Sequence, residues 1–215
     1  MSAALDSVEG VRLLLLSLQA GAMRPFLDDG ARPGPIVYVD DAQAAFRDAP
    51  FIAAERDAVL ACGREVVDAT LRDTAPADAA RLLSDAGAVY VAGGSTFALL
   101  EALRLSGNDD VLVDHVRRGL PYVGLSAGSI VAAPDVTPAS LMDDPADGPA
   151  LATHAGLGLI DVTVIPHADG ALPPYPPELI RRTVDTYGSD FALLLLRDDQ
   201  ALLVDDGVST VIASR

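Results

Sequence analysis

Gly124-Leu125-Ser126-Ala127-Gly128 is a G-x-S-x-G pattern that directly follows a strand-like run and directly precedes a helix-like one. In that context the pattern sets a serine on a sharp strand-to-helix turn, with small neighbours because sheet and helix approach closely. The hydroxyl then projects above the sheet edge, and N–H groups at the helix start face a developing oxyanion. The chemistry expected of Ser126 is nucleophilic attack on a carbonyl. The plain alternative is a tight turn with a capping serine.

A serine nucleophile needs a base, and the chain has three histidines, His115, His154 and His167. His115 falls in a helical stretch beside Arg117 and Arg118, where a surface position is expected. His154 ends an irregular segment. His167 follows a short strand at its carboxyl end, where functional residues gather in open α/β sheets. If that strand is a parallel neighbour of the one before Ser126, both side chains emerge on one edge, so His167 is the expected base. An acidic third member must hold the imidazole. Asp135, Asp143, Asp144, Asp147 and Asp161 all lie between Ser126 and His167, and spacing does not choose among them.

Gly93-Gly94-Ser95-Thr96 also stands where a strand ends and a helix opens. It lacks the full G-x-G-x-x-G pattern and the lysine of a phosphate loop. It suits half of an oxyanion hole better: a glycine N–H from this turn and the N–H of Ala127 would supply two donors. Losing one such donor typically costs about 10²–10³ in rate.

The elements that must position these residues alternate. Short apolar runs at 11–16, 36–39, 88–92, 121–125 and 162–165 read as strands, with 65–67 as a further candidate. Helical spacing marks 51–63, 77–84, 97–105, 109–118 and 178–187, and Ser126 opens another. Residues 134–153 are rich in Pro, Asp and Gly, a long loop of the kind that is functional or mobile. The stretches 191–196, 201–204 and 209–212 read as closing strands with an antiparallel edge. Together they predict one domain over 1–215, an α/β three-layer sandwich around a largely parallel sheet.

Composition narrows the chemistry. The 215 residues carry 31 acidic and 15 basic side chains, a formal net charge of −16. All the basic residues are arginine, so Schiff-base, Ser–Lys and lysine-dependent phosphate-loop mechanisms are excluded. Strong negative charge argues against nucleic-acid backbones as partners. No apolar run reaches the ~18–20 residues of a membrane span. Asp6 and Glu9 precede the first apolar run in place of a basic region, against a secretory leader. Cys62 alone forms no intrachain disulfide, and a cytoplasmic setting is expected. Cys62 itself is expected to pack in the apolar face of 51–63, without function.

Val89-Tyr90-Val91-Ala92-Gly93-Gly94-Ser95-Thr96-Phe97, then Gly124-Leu125-Ser126-Ala127-Gly128, then Ile165-Pro166-His167, in that order, resembles the peptidase E (aspartyl dipeptidase) and cyanophycinase family of serine exopeptidases. The resemblance implies a class I glutamine-amidotransferase-like fold, no metal or organic cofactor, and hydrolysis of dipeptides or short peptides. It implies Ser126 as nucleophile, His167 as base and Gly94 with Ala127 as oxyanion donors. The family's acidic member sits in the intervening loop, where Met142-Asp143-Asp144-Pro145 matches best at Asp143, with Asp144 its rival. Gly93, Ser95 and Thr96 are expected to bind substrate. The aspartyl dipeptidases carry an arginine beyond the Pro-His motif, where this chain has prolines 173, 174, 176 and 177; Arg181 and Arg182 follow as substitutes. Monomer and homodimer are both compatible. The rival readings are an α/β-hydrolase-type esterase, weakened by the short chain and the lack of an HGGG-type segment, and a non-catalytic binding protein on the same fold.

Overall fold

The computed structural model describes residues 10–30, 32–46 and 48–215; Asp6 and Glu9 lie outside them. Five parallel strands, β1 (Arg12–Leu16), β2 (Ile36–Val39), β3 (Val66–Ala69), β4 (Ala88–Val91) and β5 (Tyr122–Leu125), run in the spatial order β3-β2-β4-β5-β1. Their near-continuous apolar sequences follow from burial on both faces. Leu13 and Leu15 join Val37, Val39, Val89 and Val91 in one core, and Leu14 and Leu16 join Ile36, Tyr38, Tyr90 and Val123 in the other. This is the period-2 alternation of a strand read out twice.

Helices α1 (Met23–Asp28) and α2 (Pro50–Leu60) cover the second face. Helices α3 (Pro76–Asp85), α4 (Thr96–Ser106) and α5 (Asn108–Arg117) cover the first, completing the expected three layers. Ser95 caps α4, its Oγ accepting the Ala98 N–H at 3.3 Å, and Gly107 ends it at φ 73°. No helix among the described residues is long and apolar enough to cross a membrane.

Three expectations need correction. First, the short α6 (Ala127–Ile130) is followed by strand β6 (Thr163–Ile165), which is not part of the main sheet. After α7 (Pro177–Tyr187), β7 (Leu193–Leu195) pairs with β6 in a separate parallel pair. Thr163 Oγ1 donates to the Asp135 carbonyl at 3.0 Å, and Val164 packs into the first core, so β6 is held against the segment that follows α6. Only β8 (Gln200–Asp205) and β9 (Val208–Ala213) form the antiparallel edge, with β8 against β1. Second, residues 134–153 are folded, with 3₁₀ turns at Thr137–Leu141 and Pro145–Asp147. Third, His115 is buried: its Nδ1–H donates to Val111 O at 2.8 Å, and its Nε2 lies 3.2 Å from Ser84 Oγ. Cys62 lies just past α2, buried in the second core.

Candidate active site

Ser126 closes β5 with φ 48° and ψ −105°, a conformation that non-glycine residues adopt only when surroundings enforce it. The enforcement is visible. A Cβ on Gly124 would meet Gly128 O at 2.4 Å, and one on Gly128 would meet Val91 O at 2.1 Å, so both outer glycines of the pattern are required by close backbone approach. The Ser126 N–H donates to Leu16 O at 3.1 Å, and Ser129 Oγ donates to Leu16 O and Gly124 O, each at 2.8 Å. The elbow is thereby anchored to the end of β1.

His167 reaches Ser126 from β6. Its own φ is 58°, and its N–H donates to Ser17 Oγ at 2.8 Å. Ser126 Oγ stands 3.1 Å from His167 Nε2. The ring lies parallel to Tyr175, with centroids 4.8 Å apart. His154 is elsewhere, packed on Phe97 and bonded to Thr137 Oγ1.

The carboxylate on His167 Nδ1 is Asp198, at 2.7 Å and buried. None of the five aspartates between Ser126 and His167 occupies that position. Asp198 is carried there by the β6–β7 pair: Leu196 N donates to Ile165 O and Ala168 N to Leu196 O, so the residues after the two strands run side by side. Asp198 opens the turn into β8, and its carbonyl accepts the Gln19 N–H at 2.9 Å. Because a carboxylate only accepts, Nδ1 carries the proton and Nε2 presents its lone pair to the serine hydroxyl. Asp198 lies after His167 in the chain, and what brings it to the imidazole is the parallel pairing of Thr163–Ile165 with Leu193–Leu195.

Asp143 instead accepts the Thr96 N–H at 3.0 Å and the Thr96 hydroxyl at 2.5 Å, and Tyr175 OH donates to it at 3.5 Å. Burial pushes its carboxyl above the ordinary range, against those hydrogen bonds. Asp147 accepts from Ser95 Oγ at 2.7 Å. Ser95 and Thr96 are buried, and their side chains bind the 134–153 segment to the start of α4. Asp144 caps the second 3₁₀ turn through the Ala146 N–H.

The turn Gly93-Gly94 lies against the elbow: a Cβ on Gly93 would stand 3.5 Å from Ser126 Cβ, and one on Gly94, at φ 141°, would strike Ala42 O at 2.2 Å. Among the described residues neither the Gly94 nor the Ala127 N–H donates to a protein acceptor. A cleft of about 350 Å³ opens over Ser126 and His167, with an apolar wall of Leu18, Phe46, Phe51, Leu125, Leu172 and Pro174. Glu55 and Asp143 are its two carboxylates. Arg181 and Arg182 are exposed and line a different groove, along α7 with Glu178 and Asp185.

Fold and site together define an α/β serine hydrolase. The profile of Peptidase family S51 matches residues 18–212. An uncharacterized peptidase of Pasteurella multocida is 30% identical over 170 residues, covering 79% of this chain and 74% of that one. Peptidase E of Streptomyces coelicolor is 42% identical over 85 residues, 40% of this chain and 33% of that one. In structure, a candidate peptidase E protein from Listeria monocytogenes superposes with a TM-score of 0.84 at 19% identity, covering 94% of this chain and 98% of that one. The chain belongs to Peptidase family S51, the peptidase E family, and is a serine-type peptidase.

Proposed function

We propose that this chain is a serine exopeptidase of dipeptides or short peptides, working through Ser126, His167 and Asp198. The carrying observation is the unbroken hydrogen-bonded chain from Asp198 through His167 to a serine held at φ 48°. In this reading Ser126 Oγ attacks the scissile carbonyl while its proton passes to His167 Nε2. The oxyanion forms toward the N–H groups of Gly94 and Ala127. His167 then protonates the leaving amine, and the C–N bond breaks. Water attacks the acyl-enzyme in the same way, giving its proton to His167 and restoring Ser126. Asp198 stays ionised throughout and stabilises the imidazolium.

The cleft lies at the small end of the roughly 300–1,000 Å³ range of ligand sites, a size for short peptides. Its two carboxylates disfavour an acidic first residue, so neutral N-terminal residues are preferred over Asp. The order Ser…His…Asp also departs from the Ser…Asp…His order of α/β-hydrolase esterases. The test is amino-acid release from Asp-Xaa, Glu-Xaa and neutral dipeptides, with Ser126→Ala in parallel. Release from neutral dipeptides that vanishes in Ser126→Ala supports the reading. Turnover surviving in Ser126→Ala would overturn it, and selective release from Asp-Xaa would overturn the neutral preference.

A further inference from the structure

Glu55, on α2, is a buried carboxylate at the floor of the cleft that the hydrolytic chemistry above does not use. Its oxygens are unequally occupied. Oε1 accepts the Tyr90 hydroxyl at 3.0 Å and the Gly93 N–H at 2.9 Å, which fills both of its lone pairs. Oε2 accepts only Gln43 Nε2, at 3.1 Å. An ionised carboxylate has about four acceptor positions, so one remains, on Oε2.

That oxygen faces the same side of Gly93 as the Ser126 side chain. A Cβ on Gly93 would stand 3.6 Å from Glu55 Oε2 and 3.5 Å from Ser126 Cβ, which holds the two atoms within about 7 Å of each other across a bare glycine. In any α-amino acid the amino nitrogen and carbonyl carbon are about 2.5 Å apart. An attacking oxygen sits about 3–3.5 Å from that carbon, and an ammonium about 2.7–2.9 Å from a carboxylate oxygen. One residue with its carbonyl at Ser126 therefore spans the gap with its free ammonium at Glu55. A residue in mid-chain brings an amide there, with one N–H, no charge and a further acyl group to house.

We propose that Glu55 is the anchor for the free α-ammonium of the substrate, the group that makes this peptidase act at an N-terminus. The inference rests on the serine-exopeptidase reading above. Asp143, which also lines the cleft, and the formal net charge of −16 give a field of the same sign, which draws a cationic N-terminus inward. Burial raises the Glu55 carboxyl to about 7, opposed by its hydrogen bonds from Gly93, Tyr90 and Gln43. Beside it, Tyr38 and Tyr90 are pushed upward by burial and carry no charge near neutrality, and Arg56 stands over the Tyr38 ring, 5.0 Å from its centroid.

The experiment compares leucine p-nitroanilide with its N-acetyl form, on wild type, Ser126→Ala and Glu55→Gln. Glutamine keeps the shape and an acceptor for Tyr90 and Gly93 but loses the charge. The expected result is a wild-type preference for the free amine that shrinks about 10- to 100-fold in Glu55→Gln, the span of one hydrogen bond to a charged group. The loss is confined to the free-amine substrate and enters through KM. An equal loss on both substrates would mark Glu55 as a brace for the Gly93 turn and overturn the proposal. So would an unchanged preference. Hydrolysis that persists in Ser126→Ala refutes the parent reading instead. Binding of leucinamide to Ser126→Ala, by calorimetry, supplies a readout free of turnover: weakening on adding Glu55→Gln supports the anchor, and equal affinity overturns it.

Discussion

Replacing Asp198 by asparagine separates the carboxylate that the structure places on His167 from the one that the motif favours. Asp198 Oδ1 and His167 Nδ1 are 2.7 Å apart and both side chains are buried. At an effective dielectric of about 20, unit charges at that separation attract by about 6 kcal/mol, an upper bound on what the carboxylate contributes to the imidazolium formed in the transition state. Asparagine removes the charge and, with its NH₂ turned to Nδ1, forces the proton onto Nε2, where it blocks acceptance from Ser126. The expected fall in kcat is about 10³–10⁴, or roughly 4–5.5 kcal/mol at 1.36 kcal/mol per decade. Asp143→Asn keeps an acceptor for the Thr96 N–H and hydroxyl, so its kcat falls less than tenfold. Steady-state kinetics on a neutral dipeptide, with melting curves to confirm folding, check both. A thousandfold loss in Asp143→Asn beside a near-wild-type Asp198→Asn would refute the assignment.

Three further outcomes follow from the same geometry. Gly128→Ala drives a Cβ to 2.1 Å from Val91 O, a backbone atom at the end of β4, so thermal unfolding should show several kcal/mol of destabilisation and lost activity. Arg181→Ala and Arg182→Ala, separately or together, leave kcat/KM on neutral dipeptides unchanged, because both side chains line the groove along α7. Glu55→Gln stabilises the fold at alkaline pH: the folded carboxyl titrates near 7 against 4.5 unfolded, so the native state holds the extra proton between those values. Stability from this group is full below pH 4.5 and is lost as pH rises through 7, by an amount on the order of 3 kcal/mol. Denaturant melts at pH 5 and pH 8.5 should show the variant gaining on wild type only at the higher pH.

The sequence carried the sandwich well because its cues are local. Leu13–Leu16, Ile36–Val39 and Tyr90 with its neighbours are apolar without alternation, the mark of strands buried on both faces, and the glycines at 124 and 128 mark an elbow that any Cβ would break. That Ser126 and His167 stand side by side was legible because each closely follows a strand. Asp198 was not, because its place is set by the pairing of two three-residue strands, Thr163–Ile165 and Leu193–Leu195, whose partnership no local periodicity records. Asp143 drew the assignment by lying in the right loop, yet its oxygens serve the orphan N–H of Thr96 at the start of α4. Glu55 is hidden more deeply still, on a helix whose other turn-facing residues give no sign that one carboxylate points under Gly93.

What holds the site together converges on the end of β1. Ser126 and His167 both sit at positive φ, each costing about 1–3 kcal/mol of backbone strain. Leu16 O receives the Ser126 N–H, and the next residue, Ser17, receives the His167 N–H on its buried hydroxyl while donating to Leu196 O at 3.2 Å. Ser126, His167 and the strand leading to Asp198 are therefore referred to two consecutive residues. Ser17→Ala leaves the His167 N–H buried without that acceptor, which costs about 1–3 kcal/mol and lowers the melting temperature by a few degrees or more for a chain of this size. It also releases the peptide that fixes the histidine ring over Ser126, so kcat should fall at least tenfold while KM changes little, because Ser17 does not line the cleft. Ser17→Thr, which restores an acceptor, should recover most of the rate. Full activity in Ser17→Ala would mean that the Asp198 contact alone aligns the imidazole and that β1 serves the sheet, not the site.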